Sequence, residues 1–550
     1  MSKCVMSLLM AAAMVLSMAA CGSTEKPAEK PAENKPAVNT PAATTPAAPT
    51  TPAEKPAEVK DTFTIGITAM PENLAPSATG MDDVVSLKRP ISDLLFMENP
   101  DGSLDYYLAD KVEISEDGKT YSVHLNEKAT WSDGTPITSK DVKFFVDYQV
   151  ELNGFNRIMR LDGKDPVLNI IDDHNFEFVL EKPNNMMIIK LRNVDVLPSH
   201  IFDGDPKKMI ENMNYFNTPG FVTSGAYVVT EINEDSFVCE ARDDYYRGTP
   251  EVKRVIMKVV GMNAKAVAFE NGEIDYMRIT TVDELNKYSA QSDKYTIFSM
   301  PEARVNYMCI NKDSPNNLDL AQRQAIFYAL NGDEIIDFAY GTTDLAQNPN
   351  SLLAPQQSLY NPDTKDYEFD LEKAKQLAKE SGLEGKTLTY IYNKDRANMY
   401  ECAVVVQQQL AQIGVNVLVE GIDSSAYFNR FNAISKGNGL ENTWDLGANG
   451  WDSMRGSSIN YLTGTFTTEA NNCGLAGVCS ELATELNTST DPAKRQELAD
   501  KVIEAAMAEY RVYPLTYTNF VMVAQKNVGG LANKPIVPEF IDYLEISVNN

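Results

Sequence analysis

Two of the chain's three tryptophans, Trp444 and Trp451, bracket the glycine-rich stretch Asp445-Leu-Gly-Ala-Asn-Gly450, and Asp452 and Arg455 follow closely. An indole offers a flat apolar platform to a ligand, or it fills a core. A guanidinium suits a carboxylate, or it closes a surface ion pair. Catalytic patterns are absent by comparison. There is no Gly-x-Ser-x-Gly nucleophile turn and no His-Glu-x-x-His metal helix. Gly382-Leu-Glu-Gly-Lys386-Thr387 hints at a phosphate loop, but the required first glycine falls on Glu380. The glycines at 447 and 450 do not make a dinucleotide fingerprint. His124, His174 and His200 lie far apart, so a histidine-rich metal site is not expected. Acid pairs such as Asp82-Asp83 and Asp243-Asp244 read as solvated surface; a hydrolase using two distant carboxylates is the minor alternative. No enzyme and no cofactor are expected.

These residues need a scaffold, and 550 residues imply two or more lobes around sizeable cores. With 43% hydrophobic and 23% charged residues the bulk reads as globular. The net charge of −28 disfavours nonspecific contact with nucleic acid or anionic membrane, and no nucleic-acid partner is expected.

The N-terminus reads as an address. Lys3 precedes an apolar run from Val5 to Ala20, a secretory signal over residues 1–20 that is short for a transmembrane span. Ser17-Met-Ala-Ala-Cys21 resembles the lipobox of bacterial lipoproteins, which implies lipidation of Cys21. Residues 22–60 repeat Lys-Pro-Ala-Glu and Thr-Pro-Ala units, with eight prolines and no aromatic residue. Such a segment buries nothing and stays extended, with a maximum reach of roughly 120 Å as polyproline. Lipid at one end and a folded body at the other make residues 21–60 a tether on the extracytoplasmic face of the cell membrane. Cys473 and Cys479 are close in a glycine-containing loop; outside the cell they form a local disulfide or stay as two free thiols. Cys239, Cys309 and Cys402 read as small buried apolar residues.

Local patterns place the elements. Thr62–Thr68 alternates as a strand. Val112–Ser115 and Thr120–Leu125 flank Glu116-Asp117-Gly118-Lys119, a hairpin. Thr138 and Ser139 cap a helix running to about Glu151. Asp370–Ser381 is a helix stopped by Gly382. Strand Thr387–Asn393, helix Ala397–Ile413, Gly414 and strand Val415–Glu420 make a parallel β-α-β unit. Pro492–Tyr510 is a further helix. The class is α/β.

From Leu108 onward a set of ordered blocks is more specific. They are Leu108-Ala-Asp110, the Asp117-Gly118 turn, Trp131-Ser-Asp-Gly-Thr-Pro-Ile-Thr-Ser-Lys-Asp141-Val142, Ser224-Gly-Ala-Tyr227, Arg242-Asp-Asp-Tyr-Tyr246, Glu270-Asn-Gly-Glu-Ile-Asp275, Gln322-Arg-Gln-Ala325, Asp370-Leu-Glu-Lys-Ala-Lys375 and Val528-Gly-Gly-Leu531. In this order they resemble the extracytoplasmic solute-binding proteins, family 5, of the oligopeptide, dipeptide and nickel ABC importers. Ala226 stands where the family has proline.

The resemblance implies a two-lobed, periplasmic-binding-protein-like (Venus flytrap) fold with an extra subdomain in lobe one. It implies two chain crossings, near Ser299–Asn306 and Pro514–Phe520. Lobe I is then 61–300 plus 518–550, and lobe II is 301–517. A ligand in the cleft bridges the lobes and favours closure to the extent that it prefers the closed form. The expected ligand is an oligopeptide, with an oligosaccharide or metal chelate on the same scaffold as alternative; an adhesin, chaperone or hydrolase is less expected. The expected partners are ABC permease subunits in the membrane, and the expected state is a monomer. Trp451, with Trp444 beside it, is expected at the cleft. The family's acid for a peptide ammonium, three residues after the tryptophan, is replaced by Met454. Asp452 is the nearest acid, Arg455 is the candidate for a carboxylate, and Thr79, Met81 and Asp82 are expected on the opposite wall, where Asp82 takes the ammonium.

Overall fold

The computed structural model describes residues 61–75, 88–99, 101–261, 264–451, 458–464, 472–531 and 542–549. Cys21, the signal and the tether fall outside them.

Among the described residues, eleven strands form one sheet: β1 (Thr62–Ile67), β2 (Tyr227–Ile232), β3 (Ser236–Ala241), β4 (Arg254–Val259), β5 (Tyr276–Ile279), β6 (Tyr295–Ile310), β7 (Ala346–Gln347), β8 (Thr387–Asn393), β9 (Asn416–Ile422), β10 (Leu446–Trp451) and β11 (Val512–Gln525). Their order is β9-β8-β10-β6-β11-β5-β1-β4-β3-β2, and β7 pairs with β11. The long strands β6 and β11 are neighbours, antiparallel from Tyr295↔Gln525 to Cys309↔Val512. The sheet thus runs unbroken through the middle of a two-lobed body. Hydrophobic residues fill both of its faces: Phe63, Ile65 and Ile67 of β1 pack on one, and Met277 and Ile279 of β5 on the other.

Local chemistry accounts for the elements. β1 alternates half-buried and buried residues as its sequence does. A second sheet of four antiparallel strands contains the hairpin Ala109–Ile114 and Thr120–Leu125, turned by Gly118 at φ 68°. Helix α1 (Ser139–Asn153) starts at Thr138 in a capping box with Asp141. Helix α2 (Leu371–Glu380) is capped by Asp370. Strands β8 and β9 are parallel in register from Thr387↔Asn416 and are joined through α3 (Met399–Ala411).

The diagnostic blocks are braces for this scaffold. The Asp141 carboxylate accepts the Thr138 amide at 2.9 Å, and the Ser199 amide and hydroxyl at 3.1 and 2.7 Å. Buried Arg242 donates to the carbonyls of Thr130, Trp131 and Gly225. A Cβ on Gly225 would stand 2.4 Å from the Pro90 carbonyl oxygen, so the turn admits only glycine. Asp275 accepts the Thr64 amide at 2.6 Å and ties the start of β5 to β1.

Cys473 and Cys479 are both buried and are not joined to each other in the structure. Cys479 belongs to helix α4 (Ala476–Thr488) and directs its sulfur toward the Val502 carbonyl, 3.8 Å away in helix α5 (Pro492–Ala508). Cys473 precedes that helix and meets the thiol of Cys309. The two sulfurs are packed against different neighbours.

Candidate functional site

Strand direction makes the site. β8 runs parallel to β9 and β10, and β5 runs parallel to β1. At the C-terminal end of β10, Trp451 pairs with Val305 of β6, which pairs with Tyr517 of β11. At the C-terminal end of β5, Ile279 pairs with Val521 of β11. Both parallel groups therefore aim their C-terminal ends at the same short stretch of β11. Such ends are where α/β sheets leave room for ligands.

A cavity of about 580 Å³ lies there, within the usual range of ligand sites. Its walls combine Thr68 after β1, Tyr276 and Arg278 of β5, Glu302, Arg304 and Asn306 of β6, Thr518 and Phe520 of β11, and Arg396 and Asn398 before α3.

The β6 wall owes its shape to an irregularity. Register shifts between Pro301 and Val305, and Ala303 takes φ 46°, a left-handed conformation uncommon for alanine. This sets Glu302 and Arg304 in different surroundings. Glu302 is buried, pairs with Arg278 at 3.0 Å and accepts a hydrogen bond from the Thr518 hydroxyl. Burial pushes its carboxyl up, but the charges of Arg278 and Arg304 with the Thr518 hydrogen bond outweigh it and hold the group below the usual carboxylate range. The Arg278 guanidinium also stacks 4.4 Å above the Phe520 ring. Arg304 donates from Nε to Asn306 Oδ1 at 3.0 Å, and Asn306 donates to Thr516 Oγ1 at 2.8 Å.

Another wall is the loop between β8 and α3. Asn398 adopts φ 61°, which asparagine tolerates, and donates to the Ala339 carbonyl at 2.7 Å. Asp395 accepts the Ser424 amide at 2.7 Å. Arg396 Nη1 donates to Asn449 Oδ1 at 3.1 Å. The loop is thereby pinned, with the first turn of α3 at the cavity.

The sequence-predicted residues fare differently. The backbone of Trp451 ends β10 at the crossing, and its side chain lies outside the described residues. Asp452, Arg455, Thr79, Met81 and Asp82 also lie outside them. Trp444 is not at the cavity. It is 1% exposed, stacks on Phe431 at 5.3 Å, and its indole N–H donates to the Arg430 carbonyl at 3.3 Å, so it is a core residue. Sequence reading missed Arg278, Glu302, Arg304 and Arg396. Arg396 carried a usable signal, a polar loop joining a strand to a helix. The other three had none, because the pairings that gather them are distant in sequence.

The sequence pattern of the bacterial extracellular solute-binding proteins, family 5 (middle region), matches residues 104–472. The chain belongs to this family. Relatives in Brucella species named for ABC-transporter peptide binding align with this solute-binding protein at 28% identity over 329 residues, 58% of this chain and 60% of theirs. The solute-binding protein thus spans about 60% of the length of those curated relatives. The dipeptide-binding protein of Escherichia coli is 26% identical over 67% of this chain and 71% of its own. The solved ABC transporter substrate-binding protein CtaP of Listeria monocytogenes superposes with a TM-score of 0.79 at 26% identity, covering 90% of this chain and all of CtaP.

Proposed function

We propose that this protein is the substrate-binding component of an ABC importer, taking an oligopeptide into the cavity at the crossing strands and delivering it to permease subunits in the membrane. The observation that carries the reading is the cavity itself. It lies where strand ends from both parts of the sheet converge, and it offers guanidinium groups, hydrogen-bonding side chains and apolar walls together. Varied peptides are recognised through backbone hydrogen bonds and charged ends, with room for side chains. The names of the Brucella and Escherichia relatives point the same way. Residues 61–300 with 518–550 act as one lobe and 301–517 as the other, and ligand bound between them favours the closed form.

The protein works on the extracytoplasmic face, held by a lipid on Cys21 through the 22–60 tether. Cys21→Ala releases it from membranes under this reading, and continued detergent-dependent membrane association refutes the anchor. Trp451, Asp452, Arg455, Thr79, Met81 and Asp82 contribute to the same cleft.

Mass spectra of the protein purified without refolding, recorded natively and after denaturation, test the ligand. Release of short peptides supports the reading. A single sugar or chelate mass overturns the peptide and keeps the transport role.

A further inference from the structure

The charge of the cavity narrows the ligand. Four basic side chains line it, Lys265, Arg278, Arg304 and Arg396, against the acids Glu284, Glu302 and Asp395. In a chain of net charge −28 this is a local inversion of sign. The acids are engaged by the protein: Glu302 by Arg278 and Thr518, Asp395 by the Ser424 amide, and Glu284 by the Thr280 amide at 3.1 Å. Arg304 makes its hydrogen bond to a neutral amide, Asn306, and has no carboxylate within ion-pair distance among the described residues. Its guanidinium lies against Gly450, on the strand beside its own, where a side chain would collide with it.

A zwitterionic peptide with neutral side chains brings no net charge to such a wall. A carboxylate side chain does, and it matches the guanidinium fork in a partly desolvated place, where a charge-assisted pair is strongest. We propose that Arg304 selects peptides carrying an acidic side chain, by pairing with that carboxylate on the strand where the chain crosses the sheet. This rests on the cavity being the peptide site.

The experiment uses the full chain purified from membranes in detergent, with titration calorimetry of Ala-Glu-Ala and Ala-Gln-Ala, whose termini are identical. The expected result is about tenfold tighter binding of the glutamyl peptide, a preference erased in Arg304→Gln and partly kept in Arg304→Lys. Unchanged melting of the unliganded variants shows that they fold. Equal affinities in the unsubstituted protein overturn the proposal whatever the variants do, and leave the peptide reading intact. A preference that survives in Arg304→Gln also overturns it. If neither peptide binds but glutarate does, in an Arg304-dependent way, the peptide reading fails and the selection of acidic peptides falls with it. Binding of none of the three probes overturns it.

Discussion

Arg304 and Gly450 share one volume. A Cβ built on Gly450 falls 2.7 Å from Arg304 Nη2 and 2.3 Å from Asn306 Oδ1. The absence of a side chain on β10 is what lets the guanidinium lie against the strand and stay at the cavity wall. Gly450→Ala should therefore displace Arg304 and Asn306 together. Overpacking of this kind costs about 1–3 kcal/mol, less where the arginine swings aside. Urea unfolding should show the loss, and ligand affinity should fall with it. Unchanged affinity and stability would mean that the arginine's position is immaterial.

Arg278 and Glu302 form a pair of unequal burial, with side chains 40% and 1% exposed. Arg278→Met leaves a buried carboxylate with Arg304 as its remaining charged neighbour. Removing one partner of a fully buried pair costs about 3–5 kcal/mol. Solvent screening at the exposed arginine reduces this to roughly 1–3 kcal/mol. The pH dependence has a definite sign. The Glu302 carboxyl is depressed in the folded protein, so its stabilisation is present above the ordinary glutamate pKa and is lost as pH falls through the folded value. Acid unfolding of Arg278→Met, followed by circular dichroism, should begin at higher pH than that of the unsubstituted protein.

Glu98 behaves in the opposite sense. Burial pushes its carboxyl up to about 7, against the pull of the Arg192 charge. The folded protein then holds this proton more tightly than the unfolded chain does. Its stabilisation is full below about pH 4 and disappears as pH rises through the folded value. Glu98→Gln keeps the side chain neutral. Between pH 5 and 8 the unsubstituted protein should lose about 1–3 kcal/mol relative to this variant. Parallel melting curves across that window would contradict it.

Cys239, Cys309, Cys402, Cys473 and Cys479 are all buried, and none is in a disulfide among the described residues. Burial pushes the Cys402 thiol up to about 12 and the Cys479 thiol up to about 11. Thiolate is the reactive form, so native protein should resist iodoacetamide, and all five should label after denaturation without reductant. A disulfide between Cys473 and Cys479 would leave both unlabelled in the mass spectrum.

Trp444 packs face to face with Phe431, away from the cavity. Trp444→Ala should cost about 3–5 kcal/mol of stability. Below its melting temperature it should leave ligand affinity unchanged in calorimetry.

The elements were legible where they depend on neighbours in sequence. Thr138 and Asp141 announce α1 because both capping partners lie within one turn. The alternation of β1 and the strand-helix-strand run from Thr387 are equally local. The cavity was largely illegible because it is made by pairing at long range: Glu302 meets Thr518 and Asn306 meets Thr516 across β6 and β11. Trp444 and Trp451 carried the same chemical promise, and the start of β10 at Leu446 leaves Trp444 before the strand, with its indole in the core, while the backbone of Trp451 ends the strand at the crossing. The motif residues Asp141, Arg242 and Gly225 identified the family while holding loops together rather than ligand.

The pairing of β6 with β11 has a mechanical meaning. A pair of single-stranded linkers would let the two halves swing in any direction. Here they are joined by a hydrogen-bonded ribbon 14 to 16 residues long, loosened by two register shifts, between Pro301 and Val305 and between Asn306 and Tyr307. A ribbon of this kind bends across its thickness and twists about its length, but shears little. It is a torsion spring softened where its register shifts, so if the lobes open and close as proposed, the walls bearing Arg278 and Arg396 come back to the same alignment.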